Sequence, residues 1–200
     1  MIVELGHFTL ILALMVACVQ MILPMIGAQT GRRSLMATAV PTAILQLILI
    51  GVSFAALTYA FVQSDFSLRI VVENSHTLKP MLYKISGVWG NHEGSLLLWV
   101  LILALFGASA ALFGGNLPHK LRARVLSVQG SIGVAFLAFM ILTSNPFERL
   151  TEPPFNGNDL NPLLQDPGLA FHPPFLYLGY VGMSMAFSFA IAALIEGRVD

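Results

Sequence analysis

Apolar residues along this chain gather in long unbroken runs, not in the alternation of a half-buried strand or the narrow stripe of a soluble amphipathic helix. Five runs, 5–26, 40–62, 95–113, 125–143 and 175–195, each hold about 20 residues, enough to cross a hydrocarbon core of roughly 30 Å as α-helices. Inside lipid no water is present to bond the backbone, so a crossing segment satisfies its own donors and acceptors; the period-two pattern of a barrel strand is absent. The pattern therefore predicts an all-α polytopic membrane protein with about five transmembrane helices. It forms a single membrane domain over 1–200, with two long connections at 63–94 and 144–174.

Composition agrees: 56% of the 200 residues are apolar and 10% charged, outside the range of an ordinary soluble domain. The polar residues within the runs are Gln20, Gln46, Ser53, Thr58, Gln129 and Ser188. With no charge at mid-membrane an ion or proton relay has no candidate, and without a pair of broken helices a small-molecule transporter is disfavoured. Formal charge is zero and no basic patch stands out, so a nucleic-acid partner is not expected.

Lys and Arg are unevenly placed. The two short connections carry Arg32 and Arg33, then Lys120, Arg122 and Arg124; the two long ones carry only Arg69, Lys79, Lys84 and Arg149. Dense positive charge marks the cytoplasmic side. The amino terminus and both long loops are thus expected to face outward, and the Asp200 end to face the cytoplasm. Met1-Ile2-Val3-Glu4 lacks a basic leader and no cleavage pattern follows, so the first run reads as a retained span. Cys18, the single cysteine, lies within that run as a small apolar residue, leaving the chain without a dithiol or an internal disulfide.

The long loops hold the candidate chemistry. The second contains seven of the eleven prolines, Pro146, Pro153, Pro154, Pro162, Pro167, Pro173 and Pro174, which predicts an extended, semi-rigid ribbon. Its Glu148, Glu152, Asp159 and Asp166 against Arg149 suit either a basic partner or a plain solvated face. His172 precedes Pro173-Pro174. A residue before proline is biased toward extended backbone and proline suits the first position of a helix, so His172 is predicted at the mouth of the last span. An imidazole fixed there suits an exchangeable metal or cofactor ligand; the plainer alternative is a capping or hydrogen-bonding histidine. Tyr177 and Tyr180, on the next turns, would meet a flat cofactor or anchor the membrane interface.

In the first loop, Trp89-Gly90-Asn91-His92-Glu93-Gly94 runs directly into Ser95-Leu96-Leu97-Leu98-Trp99. The glycines permit close approach of backbone or cofactor, and a helix starting near Asn91 puts His92, Leu96 and Trp99 on one face. The alternative is a belt of Trp89 and Trp99 beside an interfacial bond between His92 and Glu93. A zinc-protease motif fails because Leu96 stands where its second histidine belongs. No Gly-x-Ser-x-Gly elbow or Cys-His pair occurs, and His7, His76 and His119 are isolated in sequence.

Trp89 to Trp99, Asp159-Leu160-Asn161-Pro162-Leu163-Leu164-Gln165-Asp166-Pro167-Gly168, and His172-Pro173-Pro174-Phe175-Leu176-Tyr177-Leu178-Gly179-Tyr180-Val181-Gly182 closely resemble the amino-terminal part of the CcmF family, within the heme-handling protein superfamily. The resemblance implies a heme lyase of the bacterial inner membrane, or of the mitochondrial inner membrane in a split organellar form. Such a lyase faces the periplasm and joins heme to the Cys-x-x-Cys-His motif of apocytochrome c. It further implies transient heme from the heme chaperone CcmE, partners CcmH and CcmI, and His172 as an axial ligand of the heme iron. Trp89, His92, Glu93, Trp99 and Tyr177 then become heme-site or bracing residues. The family's tryptophan-rich loop, second periplasmic histidine and the two membrane histidines that hold a structural heme b have no counterpart in this sequence. The chain is accordingly expected to open a longer protein or to be one piece of a split one, with lyase activity belonging to the complete assembly. Thioether chemistry uses the substrate's thiols, in keeping with a chain that has one buried cysteine. A membrane scaffold that docks partner proteins without ligating heme is the alternative function.

Overall fold

A computed structural model describes residues 1–197. Asp200, the end assigned to the cytoplasm by the charge pattern, lies outside the described residues. The fold is all-helical, with five helices long and apolar enough to cross a membrane: α1 (Ile2–Thr30), then, after the single turn α2 (Arg33–Met36), α3 (Ala39–Gln63), and three more. Two short helices, α4 (Arg69–Asn74) and α5 (Met81–Ser86), precede α6 (His92–Phe113), α7 (His119–Thr143) and α8 (Pro167–Glu196). Each long helix extends beyond its apolar run, because polar residues at the ends of a span keep helical backbone while leaving the hydrocarbon. The largest extension is in α8, eight residues earlier than the apolar run suggests.

α1 is the central post, packed against α3 and α7, while α6 closes the bundle by touching α3, α7 and α8. Its contacts are built from small residues, as expected where close packing replaces a hydrophobic driving force. A Cβ on Gly130 of α7 would lie 2.9 Å from the backbone nitrogen of Met21, so α1 and α7 meet almost backbone to backbone. Leu10, Leu57, Phe61, Leu97, Leu137 and Met140 fill the centre.

The mild polar residues of the spans act as staples. Gln20 donates to the carbonyl of Leu126 at 3.0 Å, tying α1 to α7, and Gln46 donates to that of Ala13 at 2.6 Å, tying α3 to α1. Ser188 donates to Gln129 Oε1 at 3.1 Å, and Gln129 donates to Ser184 Oγ at 3.1 Å, fastening α8 to α7. α8 needs that fastening. It buries only a strip, including Ala170, Val181, Ser188 and Ala192, and leaves Phe175, Leu176, Met183 and Leu194 exposed.

Candidate functional site

The two long connections fold over one another at one end of the bundle, and ion pairs hold them there. Arg69 of α4 meets Glu148 at 2.8 Å and Glu73 and Glu93 at 3.4 Å, so one guanidinium ties the first loop to the second and to the start of α6. Arg69 N–H also donates to the Glu148 carbonyl, and Leu150 N–H to that of Ser67, each at 3.0 Å. Arg149 reaches Glu4 of α1 and donates to Ser67 Oγ at 2.7 Å.

Lys79 makes the deepest of these links. Its side chain is fully buried, with Nζ 2.8 Å from the Asn74 carbonyl and 3.0 Å from Asp159 Oδ1. Asp159 opens the second motif and adopts left-handed backbone, φ 72°, which lays the following residues across the first loop. Burial pushes the Lys79 ammonium below its usual range, against the pull of Asp159. Burial also opposes charge on Asp159, but the Lys79 ammonium and the Leu160 N–H outweigh it and hold the carboxyl below its usual range.

The first motif is a tight turn closed by Asn91. Its Oδ1 accepts from Gly94 N–H at 2.8 Å, capping α6, while its Nδ2 donates to the Gly87 carbonyl at 2.7 Å. A Cβ on Gly94 would stand 1.6 Å from the Val88 carbonyl oxygen, so the turn excludes any side chain there. His92 then projects from the first turn of α6 into solvent, and Glu93 turns toward Arg69. The expected face of His92, Leu96 and Trp99 forms, since helix α6 begins at His92.

The second motif departs from expectation. His172 is not on extended backbone with Pro173 opening the helix; α8 starts at Pro167, and His172 lies in its second turn. Asp166 and Pro167 supply the better start: Asp166 Oδ1 accepts from Leu169 N–H at 3.2 Å and Pro167 takes the first helical position. The ribbon expected over 144–174 holds only as far as Asp166, interrupted by one 3-10 turn, Pro162–Leu164. The bias of a residue before proline yields here because the helix is already under way. Its cost is two carbonyls, Leu169 and Ala170, deprived of their donors by Pro173 and Pro174. Trp89 recovers one of them. Its indole N–H donates to the Ala170 carbonyl at 2.8 Å, joining the two motifs across 81 residues of sequence.

Between the joined motifs lies an open cleft of about 340 Å³, lined among others by Trp89, His92, Leu164, Leu169, Pro173 and Tyr177. His172, Glu93 and Trp99 do not line it. Trp99 packs on Phe136 of α7, ring centroids 3.9 Å apart, and lies 6.4 Å from Tyr180; Tyr177 meets Tyr180 edge-on at 5.6 Å. His172 is exposed on the outer side of α8 beside Phe171, Phe175 and Leu176. Of the five histidines, His7 bonds Asn145 at 3.2 Å and His76 bonds Asn156 at 2.9 Å. At this end that leaves His92 and His172 as the imidazoles without a partner among the described residues. No group of three or more His, Cys, Asp or Glu suited to a bare metal ion occurs among them either. The Arg69 and Lys79 links went unrecognised in the sequence, whereas the Trp89 bond had a legible signal: two adjacent prolines within a helix demand an outside donor.

The family model described as Cytochrome C assembly protein matches residues 89–199, from Trp89 of the first motif onward. Over its full length the chain is 74% identical to the cytochrome c-type biogenesis protein ccl1 of Rhodobacter capsulatus. It is 54% identical to the cytochrome c-type biogenesis protein CcmF of Pseudomonas aeruginosa, also over its full length. The chain belongs to the CcmF/Ccl1/CycK family of cytochrome c assembly proteins. The architecture agrees: a solved structure described as Cytochrome c Heme Lyase CcmF superposes with a TM-score of 0.87, at 28% identity over 99% of this chain. In each of these CcmF-family matches the chain spans 31% of the relative's length. The bundle, both motifs and the cleft are therefore one portion of the family fold.

Proposed function

We propose that this chain is the part of a CcmF-type heme lyase that receives and orients heme for attachment to apocytochrome c, with His172 as an axial ligand of the heme iron. The observation that carries the reading is the pairing of a free imidazole with an open apolar helix face. His172 is exposed and unpartnered among the described residues, and Phe171, Phe175 and Leu176 around it offer a flat apolar macrocycle a surface. Heme is the substrate here. Each thioether forms when a cysteine S–H of the apocytochrome adds across a heme vinyl group, sulfur bonding one vinyl carbon and hydrogen the other, with no net oxidant required.

This chain's share is to hold the imidazole at a fixed height and angle. The bond from Trp89 to Ala170, the Asp166 cap and the Lys79 to Asp159 clamp fix the first two turns of α8, so little freedom remains to be lost when the ligand engages. His92, Trp89 and Tyr177 line the neighbouring cleft and brace the start of α8, and Glu93 braces through Arg69. The charge pattern supports a periplasmic motif end in an inner membrane, where CcmE would deliver heme and CcmH or CcmI would present the apocytochrome.

The test is His172→Ala in the complete protein, reading c-type cytochrome yield together with the Soret band of heme co-purified from the chaperone step. Loss of both supports ligation. Unchanged values for both would sink it, and a lost yield with an unchanged Soret band would favour the scaffold reading.

A further inference from the structure

At the end of the bundle remote from the motifs, an open cleft of about 680 Å³ lies between the exit of α1 and the start of α7, lined by Arg33, His119, Lys120, Arg124 and Glu196 among others. A second cleft of about 230 Å³ adjoins it and shares Arg33 and His119, adding Arg122. Five cationic side chains, Arg32, Arg33, Lys120, Arg122 and Arg124, crowd this end against the single carboxylate of Glu196 among the described residues. The crowding is worse than a count suggests. α7 starts at His119 with no acidic residue in its first turn and no side-chain cap, so the positive end of a 25-residue helix dipole adds to the cations.

Arg124 takes up the one carboxylate at this end among the described residues. It is 8% exposed, yet neither Nε nor Nη1 makes a hydrogen bond among the described residues. Nη1 stands 3.1 Å from Glu196 Oε2, near enough to attract but not aligned as a hydrogen bond. Glu196 thus serves Arg124, leaving Arg33 and Lys120 without a carboxylate partner among the described residues.

We propose that this cleft is a binding site for the phosphate headgroup of an acidic phospholipid, held by Arg33, Lys120, Arg124 and the uncapped start of α7. The lipid source is favoured over a free anion by position: the cleft lies at the ends of five helices of membrane-crossing length, with Leu112 and Phe113 exposed at the same level to meet acyl chains. The site is independent of the heme reading and at the opposite end of the molecule.

Detergent-solubilised protein is delipidated and challenged with phosphatidylglycerol, phosphatidylcholine or inorganic phosphate, reading retained lipid by native mass spectrometry and the melting temperature. Wild type is expected to retain phosphatidylglycerol in preference to phosphatidylcholine, with a rise in melting temperature. The double variant Arg33→Gln, Lys120→Gln is expected to lose that preference by about tenfold. Glu196→Gln, which removes the competing carboxylate, is expected to strengthen it. Equal retention of both lipids by wild type, a weakened preference in Glu196→Gln, or the same stabilisation by inorganic phosphate as by phosphatidylglycerol would each overturn the proposal.

Discussion

The turn at the head of α6 and the start of α8 are joined, yet they are held to opposite degrees. In the turn nearly every polar group has a partner: Asn91 spends both ends of its amide, Glu93 meets Arg69, and Gly94 sits where a methyl group does not fit. The start of α8 is secured on one flank, by the Asp166 cap and the Trp89 bond, while the flank bearing His172 is exposed and His172 has no hydrogen-bond partner among the described residues. Such a division suits the role proposed for His172, a ligand held in place without being enclosed. The closed turn sets the position, and the open flank leaves room for something that arrives from outside these residues.

The closed turn is most vulnerable at Gly94. Gly94→Ala puts a carbon 1.6 Å from the Val88 oxygen, so the turn must open, and a loss of about 3 kcal/mol is expected, read as a lowered midpoint of thermal unfolding in detergent. The Lys79 to Asp159 clamp comes next, and its two halves are not equivalent. Asp159→Ala strands a fully buried ammonium and should cost about 3 kcal/mol, whereas Lys79→Met leaves a carboxylate that is already 45% exposed and should cost much less. Equal losses would refute the clamp as described. Because Asp159 has a lowered pKa in the fold, its contribution is complete above about pH 4 and disappears as acid takes the pH through the lowered value. The lowered pKa of Lys79 acts in the same sense at alkaline pH, where the unfolded chain binds the extra proton and stability rises with pH. Limited proteolysis of the 144–166 loop across pH 3 to 7 tests the acid limb, with cleavage rising toward pH 3.

Both motifs were visible in the sequence as dense runs of Gly, Pro, His and Trp, and the five apolar runs were enough for the bundle. What remained hidden depends on long-range pairing. Nothing local to Arg69 points to Glu148, and a lysine in a polar loop reads as solvated until Asp159 is known to fold over it. His172 shows the converse error: a sound local bias before Pro173 lost to a stronger helix start six residues upstream, at Asp166-Pro167. That shift matters for function, because a helical His172 leaves the cleft to His92 and turns outward.

Two smaller perturbations sharpen the contrast between the closed and open flanks. Trp89→Phe keeps the ring but removes the donor to Ala170, leaving a carbonyl that Pro174 cannot serve; about 1–2 kcal/mol should be lost, with faster amide exchange confined to the first turns of α8. His172→Gln is the limiting case. An exposed side chain with no partner among the described residues should change stability by no more than about 0.5 kcal/mol and leave exchange in α8 as it was. Any loss of cytochrome c maturation in that variant then belongs to the imidazole's chemistry and not to the fold. A thermal midpoint that fell as far as in Trp89→Phe would instead make His172 a structural residue and remove the asymmetry between the two flanks.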